Sequence, residues 1–329
     1  MKNSDVGRSA LSISIGAALL TGCGGSQPPI GAPGAMAQSR SIAAHTSRGK
    51  SWMLPEASGT NLLYLSDDTA GEIYVLSYPQ GKLVGTLSGL SAPTGLCSDR
   101  NGNVFVAEYG AVVEYAHGGT SPIATLEDPG TYAEDCAVDP ETNDLAVVNF
   151  TGRNGHGDVI IYPDEKDDPI MYSDPQMADY TACAYDGSGN LFVDGYDGTV
   201  SLAELPKGRG SFINLSVPFG GLAGMQWDGK YLAIASYYYS SVGEIFRESV
   251  SGSKVTGHGA VLLQAGKNPV RVVYFALQGK RLIGPSGTSG SFIGYWKYPK
   301  GRQDTKLIKG YTTIGVALSL STNPGSHLR

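Results

Sequence analysis

Short apolar runs recur along the chain between residues 60 and 322, each about five to seven residues long and closed off by Gly, Asp or Asn. LLYLSD, EIYVLSY and KLVGTLSG follow one another from Leu62. From Thr94 the order is TGLCSD, NVFVAEY, AVVEYA and SPIATLED, and from Thr181 it is TACAYD, NLFVDGY, TVSLAEL and SFINLSV. Runs of this length, rich in Val, Ile, Tyr and Phe and bounded by turn residues, predict β-strands, and no helical period competes with them. The joins DRNGN at Asp99, DPETND at Asp139, DGSGN at Asp186, WDGK at Trp227 and LQGK at Leu277 predict hairpin turns, where Asn-Gly and Asp-Gly supply positive φ. DRNGN resembles the start of a calcium loop, but its Gly is misplaced and no Glu follows at the required distance, so it reads as a turn.

The strands fall into repeats. YPQG at Tyr78 returns as YAHG at Tyr115, YPDE at Tyr162, LPKG at Leu205 and YPKG at Tyr298, at intervals of 37, 47, 43 and 93 residues. The last interval is two periods, and a period of 40–50 residues marks propeller blades. Six innermost strands are expected, at 94–98, 135–138, 181–185, 222–227, 270–275 and 313–321. The first repeat has three strands and the last innermost strand has nothing after it. The expected fold is therefore an all-β six-bladed propeller of four-stranded blades, with the C-terminal strand completing the first blade. Closure of this kind leaves only short sheet edges.

Residues 1–22 read as an export signal, with a short apolar run at 10–20 ending in Leu20-Thr21-Gly22-Cys23. This ending resembles a bacterial lipobox, which implies a lipid on Cys23 and anchorage to the cell envelope. Gly24 gives no inner-membrane retention cue of the Asp type. Residues 23–59, rich in Gly, Pro, Ser and Ala, read as a flexible tether, and residues 323–329 as a tail.

The net charge of −6 and the lack of a conspicuous basic run argue against nucleic acid as a partner. GLCSDRNGNVFVAE, at 95–108, resembles an NHL-type repeat, and the resemblance covers most of residues 61–321. Together with the lipobox it resembles a set of uncharacterised bacterial propeller lipoproteins. It is more distantly similar to gluconolactonase-type lactonases, which hold a divalent ion over the channel with Glu, Asn and Asp side chains.

Equivalent positions of a propeller form rings. The ring at the end of each second strand reads Asp67, Glu108, Asn149, Asp194, Ser236 and Pro285, with Glu134 and Asp135 entering an innermost strand on the same face. Asp67, Glu108, Asn149 and Asp194 are candidate ligands for a hard cation such as Ca²⁺, with Glu134 or Asp135 as a candidate general base. Their alternative role is to cap turns and bond loop amides. The next ring is aromatic: Tyr109, Phe150, Tyr196 and Tyr237, with His156 in a nearby loop. These are candidates for a face that takes protein, peptide or carbohydrate, or else they pack between blades. No serine sits in a nucleophile elbow. Cys97 and Cys136 can face a shared groove, which leaves a bridge open, but the expectation is three buried thiols, Cys183 included. The function expected is a monomeric binding or scaffold domain. The alternative is a metal-dependent, lactonase-like hydrolase.

Overall fold

The computed structural model describes residues 49–151, 155–166, 168–196, 198–199, 201–218, 222–236, 243–286, 292–304 and 308–321. Cys23, the export signal, most of the tether, the tail and Tyr237 lie outside these residues, as does the side chain of Tyr196.

All strand pairs are antiparallel. The first sheet runs Trp52–Met53, Leu83–Ser88, Glu72–Ser77, Leu62–Asp67 and Val316–Ser319 in spatial order. Leu62 pairs with Ser319 and Leu65 with Val316, so the C-terminal strand supplies the inner edge of the first sheet, as expected. The next sheet joins Leu96–Ser98, Val104–Tyr115, Pro122–Val138, Leu145–Asn149, Asp158–Tyr162 and Ile170–Tyr172. Two four-stranded sheets follow: Asp179–Tyr185 to Ile213–Leu215, then Leu222–Trp227 to Lys254–Leu262. A ribbon of Gln264–Ala265 with Asn268–Pro269 leads to the last sheet, Ala276–Gln278, Arg281–Pro285, Phe292–Lys297 and Arg302–Gln303, with Ile308–Lys309 also paired to Phe292–Lys297.

Hydrogen bonds thus merge the second and third repeats into one six-stranded sheet. Within it, Val104–Tyr115 doubles back on itself. Asn103 Nδ2 donates to Glu114 Oε1 at 2.8 Å, although eleven residues of extended chain would separate them by roughly 36 Å. Gly110, at φ +80°, makes the reversal. The innermost strand of the last sheet differs from expectation: it is Ala276–Gln278, not 270–275. Pro269 and its neighbours are drawn into the preceding ribbon, and Val272 keeps only an isolated bridge to Ser286.

Side-chain alternation builds the core. Leu62 and Tyr64 face one neighbour, packing with Val104 and Val106, while Leu63 and Leu76 face the other, with Ile283 and Ile293. The circuit continues from Phe105 and Val112 to Val147 and Ile160, and from Ala146 and Val148 to Val193 and Leu205. Ala233 and Ile245 meet Leu282 and Trp296, which returns the packing to the first sheet. Leu96, Asp135, Met225, Tyr274 and Val316 enclose a narrow axial gap of about 10 Å³. The innermost strands pack so closely that a Cβ on Gly315 would stand 2.2 Å from the Thr94 carbonyl oxygen.

Candidate ligand face at the channel mouth

The strand entries gather a polar group at one end of the axial gap. Glu134 and Asp135 lie where Pro122–Val138 turns inward, and Thr181 lies in the adjoining innermost strand. The Tyr274 hydroxyl is 2.9 Å from Glu134 Oε1 and 3.0 Å from the Thr181 carbonyl oxygen, so its one proton is shared between two acceptors. The Thr181 hydroxyl and the Ala182 amide donate to Asp194 Oδ1 at 2.5 and 2.7 Å, and the buried Asp194 Oδ2 has no hydrogen-bond partner. Asp135 Oδ2 receives the Cys183 amide at 3.4 Å.

Burial dominates the acid–base chemistry here. Desolvation pushes Glu134 up to about 7, with the Tyr274 hydrogen bond opposing it and Asp68 adding to it. Asp194 is likewise pushed up to about 7 by burial, against the hydrogen bonds from Thr181 and Ala182. Burial holds Asp135 well above the usual carboxylate range. Tyr274, buried beside these carboxyls, is held well above the ordinary phenol range. Glu134 and Asp194 can therefore exchange protons near neutrality.

The expected ring of oxygen donors is divided among separate local networks. Asp67 Oδ1 accepts the Ala70 amide at 2.9 Å and its Oδ2 accepts the Tyr74 hydroxyl at 3.3 Å. Glu108 Oε2 accepts the Ser91 amide at 2.7 Å, and burial raises its pKa. Asn149 Nδ2 donates to Asp128 Oδ1 at 3.2 Å, leaving its buried Oδ1 without a partner. Asp67 and Glu108 thus bond loop amides, the alternative role for this ring. Asp194 shares an electrostatic neighbourhood with Glu134 and Asp135.

Two of the aromatic candidates come together through a residue that the ring position does not identify. Tyr109 and Tyr132 meet edge to face with centroids 6.2 Å apart, and Tyr132 continues to Phe150 at 6.4 Å. Tyr109 is 56% exposed and Tyr132 39%, so both stand on the surface and not between sheets. Tyr132 lies two residues before Glu134 in Pro122–Val138; its nearness to that acidic entry was the available signal. His156 is exposed on another cleft, of about 450 Å³, with Met171, Tyr172 and Asp174.

At the other end of the innermost strands a cavity of about 390 Å³ is lined by Cys97, Cys136, Cys183, Trp227, Gln278 and Leu318. The expectation of three thiols is corrected here. Cys97 and Cys136 form a disulfide, with Cα atoms 5.6 Å apart, and Cys183 is the one buried free thiol among the described residues. The one-residue offset between the two strands turns the side chains toward each other across the shared groove.

No family model matches the chain, and no curated protein does. Solved structures do. A chain from a nidogen/laminin complex aligns with a TM-score of 0.60 at 12% identity, covering 79% of this chain and 99% of its own. The Cps50 (Swd1) β-propeller domain of Myceliophteria thermophila aligns with a TM-score of 0.54 at 12% identity, covering 80% of this chain and 86% of its own. The fold is a β-propeller. At this identity the likeness extends to fold alone.

Proposed function

We propose that the chain is a six-bladed propeller acting as a non-catalytic binding or scaffold domain, exported and held at a bacterial cell envelope through lipid on Cys23. Support for six blades comes from the axial cavities, which draw on segments around residues 96, 136, 183, 226, 276 and 316. The hairpin within Val104–Tyr115 also lets the six-stranded sheet be divided into two four-stranded blades. The anchor rests on Leu20-Thr21-Gly22-Cys23.

The exposed ridge Tyr109–Tyr132–Phe150 carries the binding reading. Rigid aromatic rings bury large area at low entropic cost, and the neighbouring Glu134 adds an acceptor for a cationic or hydrogen-bond-donating ligand. A peptide segment with Lys or Arg, or a sugar, has that chemistry. The nidogen/laminin structure is a protein assembly, and protein binding is carried over from it as part of this proposal. The test is an array of basic peptides and cell-wall oligosaccharides probed with the full chain. Binding should weaken at least tenfold in Tyr109→Ala/Tyr132→Ala, and binding unaffected by that pair would overturn the ridge. Palmitate labelling of the expressed chain should be lost in Cys23→Ser.

A second reading, a lactonase-like hydrolase, draws on Glu134 being poised near 7, which suits a general base. The unpartnered oxygen of Asp194, beside Glu134 and Asp135, fits as a donor to a hard cation such as Ca²⁺, whose chemistry is to polarise a carbonyl. Thermal melting in EDTA and then in millimolar calcium tests it: the reading expects a rise of several degrees, lost in Asp194→Asn.

A further inference from the structure

The two Tyr-Pro phrases meet at the seam between the first and last sheets. Tyr78 stacks on Tyr295 with centroids 6.2 Å apart and planes at 19°, and Tyr78 and Tyr298 both line a cleft of about 460 Å³. The other charged lining residues are Lys280, Arg281, Lys297, Lys300 and Asp304. Asp304 binds Arg281, at 3.0 Å from Nε and 2.9 Å from Nη2. Arg281 Nη1 donates to the Tyr78 hydroxyl at 3.1 Å. The guanidinium is thereby fixed in position and keeps N–H groups for a further acceptor. Among the described residues, Lys280, Lys297 and Lys300 make no ion pair.

Strand register makes the arrangement self-repelling. Arg281 is directly opposite Lys297, and Lys297 directly opposite Arg302, so three cations form a row across three adjacent strands. Like charges facing each other on one side of a sheet destabilise it. This row sits in a chain with 30 acidic residues against 24 basic, and strand register, not a basic run in the sequence, assembles it. A multivalent oxyanion reverses the cost. A phosphate offers several acceptor oxygens and up to two charges to the lysines and the positioned Arg281, which a single carboxylate does not match.

We propose that this cleft, at the ring-closing seam, is a binding site for a phosphate-bearing ligand, held by Lys280, Arg281, Lys297 and Lys300. The site is separate from the aromatic ridge, and the two readings stand or fall independently.

Calorimetric titration of the full chain with sodium pyrophosphate, at constant ionic strength, tests it. A parallel arm sediments the chain with phosphatidylglycerol vesicles against phosphatidylcholine vesicles. Saturable pyrophosphate binding that falls at least tenfold in Lys297→Glu, and is unchanged in the charge-matched Lys254→Glu, supports the site with a soluble phosphate ligand. Sedimentation with phosphatidylglycerol alone, lost in Lys297→Glu, supports it with a lipid headgroup. Binding in neither arm, or binding indifferent to Lys297→Glu, overturns it. Lys297→Glu should melt in chloride buffer no lower than the parent, because it relieves the cationic row, so lost binding would not reflect lost fold.

Discussion

The seam that closes the ring and the seam bridged by Cys97 and Cys136 are held by different means. At the bridged seam the chain runs through as Pro122–Val138, the Thr94 hydroxyl donates to the Ala133 carbonyl at 2.7 Å, and the disulfide links the two innermost strands. At the closing seam the links are the pairing of Leu62–Asp67 with Val316–Ser319, Tyr78 stacked on Tyr295, and Arg281 shared between Asp304 and Tyr78. One seam is covalent and sterically filled. The other is held by strand pairing, ring stacking and hydrogen bonds and carries surplus like charge, so its strength depends on what dissolves around it.

The largest effect should come from breaking the covalent seam. The bridge closes a loop across 39 residues, and Cys97→Ala/Cys136→Ala should cost about 3–4 kcal/mol by urea denaturation. A bridged chain should also show one titratable thiol after denaturation in the propeller, against three with reductant. Next is Gly315→Ala, whose added Cβ meets the Thr94 carbonyl oxygen at 2.2 Å. Forcing those strands apart should cost about 1–3 kcal/mol or more, and a melt within a degree of the parent would show that the channel wall yields.

Proton linkage at the channel mouth ranks third. Folding raises Glu134 and Asp194 from their ordinary values of 4.5 and 3.8 to about 7. The folded state therefore binds more protons than the unfolded state between those limits, and this contribution to stability is lost as pH rises toward about 7. Urea midpoints should fall from about pH 5 to pH 7 and then level off. Glu134→Gln with Asp194→Asn should flatten that slope; an unchanged slope would place the titration elsewhere.

Smaller effects probe the closing seam. Tyr78→Phe removes the acceptor of Arg281 Nη1 and should cost about 0.5–1.5 kcal/mol. The same substitution in a pyrophosphate-saturated protein should cost less if the ligand takes over that donor. Lys297→Glu should gain about 0.2–1 kcal/mol in chloride, the reverse of the usual sign for a substitution.

Strand positions and the closure by the C-terminal strand were legible because period-two alternation and recurring turns are properties of neighbouring residues. Asp99 shows the turn chemistry working as read: its Oδ1 accepts the Asn101 and Asn103 amides at 2.9 and 2.7 Å, and Gly102 takes φ +86°. The cationic row was not legible, since Arg281, Lys297 and Arg302 are aligned only by register across three strands. Ring position located Asp67, Glu108, Asn149 and Asp194 in their strands, but which loop amide captures each oxygen depends on chain approaching from elsewhere, such as Ser91 at Glu108. The same holds for Tyr274: it lies in the expected innermost stretch, yet its hydroxyl reaches Glu134, 140 residues earlier. The bridge was half legible, because strand offset oriented Cys97 and Cys136 toward one groove while sulfur-to-sulfur reach depends on how closely two sheets pack.

The pairing of Leu62 with Ser319 also sets a schedule for synthesis. The sheet begun by one of the earliest strands lacks its inner edge until almost all of the described chain has emerged from the ribosome. Contacts of such long sequence separation form late and slowly. Any nascent chain cut short before Val316 would present an unpaired strand edge at Leu62–Leu65, the kind of template on which other chains add. Synthesis of Val316–Ser319 and burial of that edge are therefore one event, and the first sheet to be started is among the last to be finished.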